Sequence, residues 1–280
     1  MLRKLISVFS LVKMFFAFIL ITLSVCVWGF LIEPGSLNQM NLSYGKWTGP
    51  KLRIAFFSDL HAGAPHINQN YIKELVDRIN KMSPDIILLG GDLVINGVVG
   101  GNHIPIEELT PLLKPLKARL GVYAVLGNHD WWSDGPRIEM NLEQVGISVI
   151  DNEAKLIKIN ENFDFWLVGI GDDYTGHADV AQAMSQVNSS SPRIIFMHDP
   201  AAIFQMRNKF SIALAGHMHG GQIYIPGYGA LVTPGQAPRS WASGWIDFPM
   251  GQLYVSKGVG TSIVPVRINA PPEFVVLDLN

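Results

Sequence analysis

Cysteine is almost missing from this 280-residue chain: there is one, Cys26. No intramolecular disulfide can form, and zinc sites built on cysteine clusters are excluded. Charge is also scarce. Asp, Glu, Lys and Arg make up 16% of the residues, and 21 basic against 23 acidic side chains leave a formal net charge of −2. A dedicated nucleic-acid binder would carry a basic stripe, so no nucleic acid is expected as a partner. Internal repeats, charge runs and low-complexity tracts are absent as well.

Apolar residues are plentiful, at 48%, and unevenly spread. Met14 to Ile32 is an uncharged apolar stretch preceded by Arg3, Lys4 and Lys13. About nineteen residues at 1.5 Å per residue is just enough for a helix to cross a bilayer. No Ala-x-Ala site follows, which favours an uncleaved anchor over a secretory signal. The basic flank predicts a cytoplasmic N-terminus at the cell (inner) membrane, with the remainder on the periplasmic, extracytoplasmic side. Lys46, Lys51 and Arg53 on the far side reduce that asymmetry. Glu33 to Pro50, with Pro34, Gly35 and Gly49, reads as a tether. The expected division is an anchor with the start of its tether over 1–38, then one catalytic domain over 39–280. The domain is long enough for a single full core.

Five apolar runs read as buried strands, and each ends in metal-ligating residue types. Leu52 to Phe57 leads into Ser58-Asp59-Leu60-His61. Ile86 to Leu89 leads into Gly90-Gly91-Asp92, and Val122 to Leu126 into Gly127-Asn128-His129-Asp130. Ile194 to Met197 leads into His198-Asp199. The last cluster is Gly216-His217-Met218-His219-Gly220-Gly221. In open α/β sheets ligands bind beyond the C-terminal strand ends, so these strands gather N and O donors at one edge. Helical spacing of Ile72, Leu75, Val76, Ile79 and Met82, and of Ile106, Leu109, Leu112, Leu113 and Leu116, places helices between strands. After Gly221 the pattern turns to Gly/Pro-rich strand-like pieces, with Pro226 to Pro249 expected as a long irregular loop. In that loop Trp241 and Trp245 are candidates for the membrane interface, for covering an apolar substrate or for plain packing. The fold class is α/β, two packed mixed β-sheets with helices outside.

A donor set of two Asp, one Asn and four His suits manganese, iron or zinc. Seven ligands exceed one tetrahedral site and fit two divalent ions sharing a carboxylate, the arrangement used for in-line displacement at phosphorus. The order Asp-x-His, Gly-Asp, Gly-Asn-His-Asp, His, Gly-His-x-His resembles the calcineurin-like metallophosphoesterase superfamily over about residues 52 to 279. Within it the chain most resembles the bacterial membrane-anchored YaeI/YkuE-type branch, which is related to some UDP-2,3-diacylglucosamine pyrophosphohydrolases. The resemblance implies a four-layer αββα sandwich and two metal ions per chain. Asp59, His61 and His219 would hold one ion, Asn128, His198 and His217 the other, and Asp92 would bridge them. His129 would contact phosphate and protonate the leaving oxygen. Many members have an acid three residues after the bridging Asp to orient that histidine; here the position is Ile95, and Asp130 is the alternative.

His66 and His103 lie in loops as solvated residues or substrate contacts, and His177 is a candidate for a substrate or supporting role. One of Trp131 and Trp132 is expected to wall the cleft. Arg137 and Arg239 are candidate phosphate clamps by charge. The function expected is metal-dependent hydrolysis of a phosphomonoester, phosphodiester or pyrophosphate, with a lipid-linked substrate favoured. A non-catalytic metal-binding scaffold and a nuclease are the alternatives.

Overall fold

The structure, a computed structural model, describes residues 2–32, 36–95 and 97–280. Glu33, Pro34 and Gly35 of the expected tether lie outside the described residues.

A first sheet has the strand order β1-β14-β2-β3-β4-β5 and a second the order β12-β13-β9-β8-β7-β6. In the first, β2 (Leu52–Phe57), β3 (Ile86–Leu89), β4 (Val122–Ala124) and β5 (Ile147–Val149) run parallel, while β14 (Glu273–Leu279) is antiparallel to β2 and parallel to β1 (Asn38–Tyr44). In the second, β7 (Phe163–Ile170), β8 (Arg193–Met197), β9 (Ile212–Ala215) and β13 (Gly251–Val255) are parallel. Antiparallel edge strands β6 (Glu153–Asn160) and β12 (Gly244–Phe248) flank them.

Both faces of the central strands are buried, so period-two alternation sorts each run into two cores. Ile54, Phe56, Ile86 and Leu88 meet Ile194, Phe196, Ile212 and Leu214 between the sheets. Their neighbours Ala55, Phe57, Ile87 and Leu89 face outward onto helices α2 (Gln69–Lys81), α3 (Ile106–Leu113) and α4 (Asn128–Gln144). Ile195, Met197, Ala213 and Ala215 cover the opposite outer side with α5 (Val180–Ser185). The result is the expected four-layer αββα sandwich.

Asn68 caps α2, its side-chain oxygen accepting from the Asn70 and Tyr71 amides, and Ile72, Leu75, Val76 and Ile79 bury the apolar stripe. The helix expected through Leu116 ends at Leu113: Lys114 keeps right-handed helical angles, but Pro115 has no amide hydrogen with which to continue the ladder.

Two expectations are corrected. The tether over 33–50 contains strand β1, in register from Asn38 opposite Glu273 to Tyr44 opposite Leu279. Met40, Leu42 and Tyr44 alternate onto the core between the sheets, a pattern hidden among flanking Gly, Pro and Asn. The loop over 226–249 contains β12, paired with β13 from Gly244 opposite Val255 to Phe248 opposite Gly251. Trp241 packs on Phe204 and Phe248, and Trp245 stacks on Tyr44, so both tryptophans serve packing.

At the N-terminus, α1 (Leu2–Val27) continues into a π-helical turn, Trp28–Ile32. Val12–Phe30, with mean hydropathy 2.1, is long and apolar enough to cross a membrane and is almost wholly unburied. Its end meets the domain. The Arg267 amide donates to the Gly29 carbonyl at 2.9 Å, and the Phe30 carbonyl lies 2.9 Å from His66 Nε2.

Candidate metal centre

The parallel strands β2, β3, β4, β8 and β9 all deliver their C-terminal ends to one edge, and the clusters of polar residues meet there. Asp59, His61, Asp92, Asn128, His198, His217 and His219 are all buried. Ligating atoms of Asp59, His61 and His219 lie within 4.8 Å of one another, and so do those of Asp92, His198 and His217. Asn128 joins the second group through Oδ1, 3.2 Å from His198 Nε2. Asp92 stands between the groups: its Oδ2 lies 3.3 Å from His198 Nε2 and 3.6 Å from His61 Nε2.

The backbone is bent to achieve this. Asp59, His61, Asp92, His217 and His219 have φ of 54°, 48°, 54°, 69° and 51°. Left-handed φ is uncommon outside glycine, costs about 1–3 kcal/mol per residue where sparsely populated and gathers at functional sites. Glycines let the chain segments close up. A Cβ on Gly216 would stand 2.6 Å from Asp59 Oδ2, on Gly258 2.7 Å from the same oxygen, and on Gly91 2.9 Å from His198 Nδ1.

The donor set fits divalent cations. His61 Nε2 and His219 Nε2 approach to 3.1 Å, as do His217 Nδ1 and His198 Nε2. Burial pushes His61 down to about 3, and burial with the Arg267 charge does the same to His219, so both are neutral with lone pairs free. Burial also holds His217 well below its ordinary value. His198 behaves differently: burial disfavours its charge, but the Asp92 carboxylate outweighs this and raises it well above. Burial pushes the Asp92 carboxyl up, yet His198, with His61 and His129, holds it well below the carboxylate range. To hold a divalent ion His198 would have to give up that proton, because ligands bind deprotonated. The buried ring nitrogens His61 Nδ1 and His217 Nε2 have no hydrogen-bond partner among the described residues.

Beyond the donors, Ser58 Oγ donates to Asp59 Oδ2 at 2.6 Å and the His217 amide to Asp59 Oδ1 at 3.0 Å. His198 Nδ1 lies 2.8 Å from the Gly90 carbonyl, which fixes the ring so that Nε2 faces the centre.

The calcineurin-like phosphoesterase family model matches residues 52–221, which include all seven donors. This chain belongs to that family. It is similar to "Phosphodiesterase YaeI" of Escherichia coli (strain K12), 31% identical over 253 residues that cover 88% of this chain and 90% of that protein. It is also similar to "Uncharacterized metallophosphoesterase YkuE" of Bacillus subtilis (strain 168), at 28% identity with 81% of this chain and 78% of that protein covered. "Transmembrane protein with metallophosphoesterase domain" of Danio rerio is 30% identical over 79% of this chain and 52% of that longer protein. The chain is therefore a metallophosphoesterase, a hydrolase of phosphoester bonds in a dimetal-dependent family.

His129 is the second residue of α4, with its amide donating to Asp92 Oδ1 at 2.8 Å. No acid orients its ring among the described hydrogen bonds. Ile95 is buried apolar core, and Asp130 turns away to accept from the Leu93, Val94 and Gly127 amides at 2.9, 3.1 and 3.0 Å. Asp130 thus ties the second and third motifs together. Ser262 Oγ is the side-chain atom nearest in hydrogen-bond terms, 3.5 Å from His129 Nε2, and the ring packs edge-on against Trp132 and His61. Burial lowers the His129 pKa.

A cleft of about 520 Å³ opens over this centre. Asp92, Asn128, His129, His217 and His219 form its polar floor, while Trp132, Tyr174, Leu231, Val232, Ile263 and Val264 wall it. Among the described residues, no Lys or Arg lines it. Trp132 is the tryptophan facing the cleft; Trp131 packs on the outer core and stacks on His177 at 3.7 Å. His177 therefore packs on a tryptophan outside the cleft lining. His66 meets the end of the N-terminal helix, and His103 the Ile95 carbonyl. The two arginines expected as phosphate clamps are engaged elsewhere: Arg137 pairs with Glu107 at 2.6 Å, and Arg239 lies over the Tyr228 ring.

Sequence reasoning missed Tyr174, Ser262 and Arg267. Arg267 is fully buried beside His219. It donates to the Ala270 and Lys257 carbonyls at 2.8 Å each and to Gly260, and its Nη2 lies 3.5 Å from His219 Nδ1. It holds three turns of the last segment around that histidine. The signal was an arginine set between Val266 and Ile268 in an apolar stretch.

Proposed function

We propose that this metallophosphoesterase hydrolyses a lipid-linked phosphodiester or diphosphate at the surface of the membrane that anchors it. The observation that carries the reading is a largely apolar wall, with Trp132, Leu231, Val232, Ile263 and Val264, above a floor that holds four of the seven candidate donors, Asp92, Asn128, His217 and His219. Asp59, His61 and His219 would hold one divalent ion and Asn128, His198 and His217 the second, with Asp92 standing between the two groups. Two such ions supply charge neutralisation at the phosphoryl oxygens and acidify a water. His129 contacts the phosphate and donates a proton to the departing oxygen. An anionic substrate raises the pKa of a neighbouring imidazole, so the proton that burial disfavours is gained as substrate arrives. A cleft whose described lining has no basic residue suits a phosphodiester or diphosphate bearing apolar chains better than a polyanion, which argues against a nuclease. The catalytic domain lies on the extracytoplasmic side.

The test is release of phosphate or nucleotide from a substrate panel, with manganese, zinc and magnesium compared. The panel pairs soluble phosphomonoesters, phosphodiesters and nucleotides with UDP-2,3-diacylglucosamine. Metal-dependent turnover, fastest on the acylated substrate, is expected. Turnover confined to soluble nucleotides or nucleic acid would sink the lipid reading, and none with any metal would sink the catalytic one.

A further inference from the structure

Around the cleft mouth, large apolar side chains stand in solvent: Val99 is 65% exposed, Val232 75% and Ile263 72%. Contiguous exposed apolar surface marks an interaction site. Ile263 is doubly unfavourable in water, because it is β-branched and held at φ 63°, a backbone region where such residues are genuine outliers. Strain of this kind persists where function uses it.

This rim is joined to the N-terminal helix by a short chain of contacts. Gly29 packs so closely on Ile268 that a Cβ there would stand 2.7 Å from Ile268 Cγ1. Ile268 bridges to Ile223. The Ile223 carbonyl accepts from the Leu231 amide at 3.0 Å, and Leu231 lies next to Val232. On the other flank the Val99 amide donates to the Ile263 carbonyl at 3.2 Å. Tyr228, 58% exposed, carries the Arg239 guanidinium 4.6 Å over its ring. An aromatic ring with a long basic side chain is the pairing that settles at a headgroup boundary.

From these contacts we infer that the cleft rim is a bilayer-docking surface: Val99, Val232 and Ile263 enter the headgroup–acyl boundary beside the point where the helix leaves the membrane. The cleft mouth then opens onto the lipid phase, and an acyl chain can slide along its apolar wall without crossing water. The inference rests on the lipid-substrate reading for its consequence, though the docking itself does not require catalysis.

The test uses the full chain with Cys26→Ser, which removes the only cysteine, reconstituted in phosphatidylethanolamine–phosphatidylglycerol vesicles. Single cysteines at Val232, Ile263, Phe18 and Leu156 carry nitroxide labels. Phe18 lies in the candidate span, and Leu156 on β6, the edge strand remote from β12. Collision with oxygen, which concentrates among acyl chains, is compared with collision with a water-soluble nickel chelate. Labels at Val232 and Ile263 should favour oxygen several-fold over the Leu156 label, approaching Phe18. Values equal to Leu156 at both rim sites overturn the inference, as does a Phe18 label that itself reads as aqueous. Hydrolysis of bis(p-nitrophenyl) phosphate by the same vesicles is scored separately. Its absence defeats the catalytic reading while leaving the depth result intact.

Discussion

Five candidate ligands share a left-handed backbone, and this decides how the site should be probed at single residues. Substitutions must keep the backbone tolerable, or a folding defect will pass for a chemical one. Asp92→Asn meets that demand, since Asn tolerates positive φ as well as Asp does. It removes the charge that sustains His198 and separates the two groups of donors. Metal content should fall below two ions per chain and turnover by several orders of magnitude, read by elemental analysis and a hydrolysis assay. Wild-type values for both would show that Asp92 does not bridge. His129→Ala tests a different role. His129 reaches the centre from the first turn of α4, with its ring within 4.8 Å of ligating atoms of His61 and Asp92; the proposed role has it act on substrate rather than hold metal. Both ions should stay, while activity on substrates with poor leaving groups falls by about 10²–10⁴, the usual worth of a general acid. Loss on p-nitrophenyl esters should be much smaller, because p-nitrophenolate departs without a proton. Equal losses would mean that His129 mainly binds phosphate.

At the scale of elements, β1 separates the anchor from the fold. Asn38 begins the strand, its amide and side chain both donating to the Pro272 carbonyl, and Leu37 packs on the outer core while its carbonyl receives Arg78. A chain starting at Ser36 should therefore be soluble, cooperative in thermal unfolding and able to bind metal. A chain starting at Gly45 loses the partner of β14 along its whole length and should unfold at much lower temperature or aggregate. If the two behave alike, β1 contributes nothing and the domain begins later. The contrast between β1 and β2 shows what was legible. β2, β3, β8 and β9 are continuous apolar runs because both of their faces are buried, and their polar ends announced the site. β1 and β12 are edge strands with one covered face, so their alternation was short and masked by glycine and proline. α4 was invisible for a related reason: Gly135 and Pro136 interrupt it and Asp134 departs from helical geometry. The metal donors follow strand ends and could be read in order. Arg267, Ser262 and Tyr174 come from irregular segments that only tertiary packing brings to the centre.

For the whole molecule, the anchor and the catalytic edge are parts of one arrangement. The helix end is fastened to the domain through Gly29 and Phe30, near the segment that carries Arg267 and the cleft rim. With the candidate span in a membrane, the side on which the domain sits would therefore decide which leaflet the cleft addresses. Arg3 and Lys4 before the span and Lys13 at its start favour an N-terminus held in the cytoplasm, against Lys46, Lys51 and Arg53 after it. The C-terminal residue is available for a reporter, since Asn280 is exposed just beyond β14. Alkaline phosphatase fused after Asn280 should be active in a bacterial host, because it matures only outside the cytoplasm, and a fluorescent protein that matures only in the cytoplasm should stay dark. The opposite pair of results would turn the cleft toward the inner leaflet. The substrate would then be a nucleotide-activated lipid made in the cytoplasm rather than an exported one.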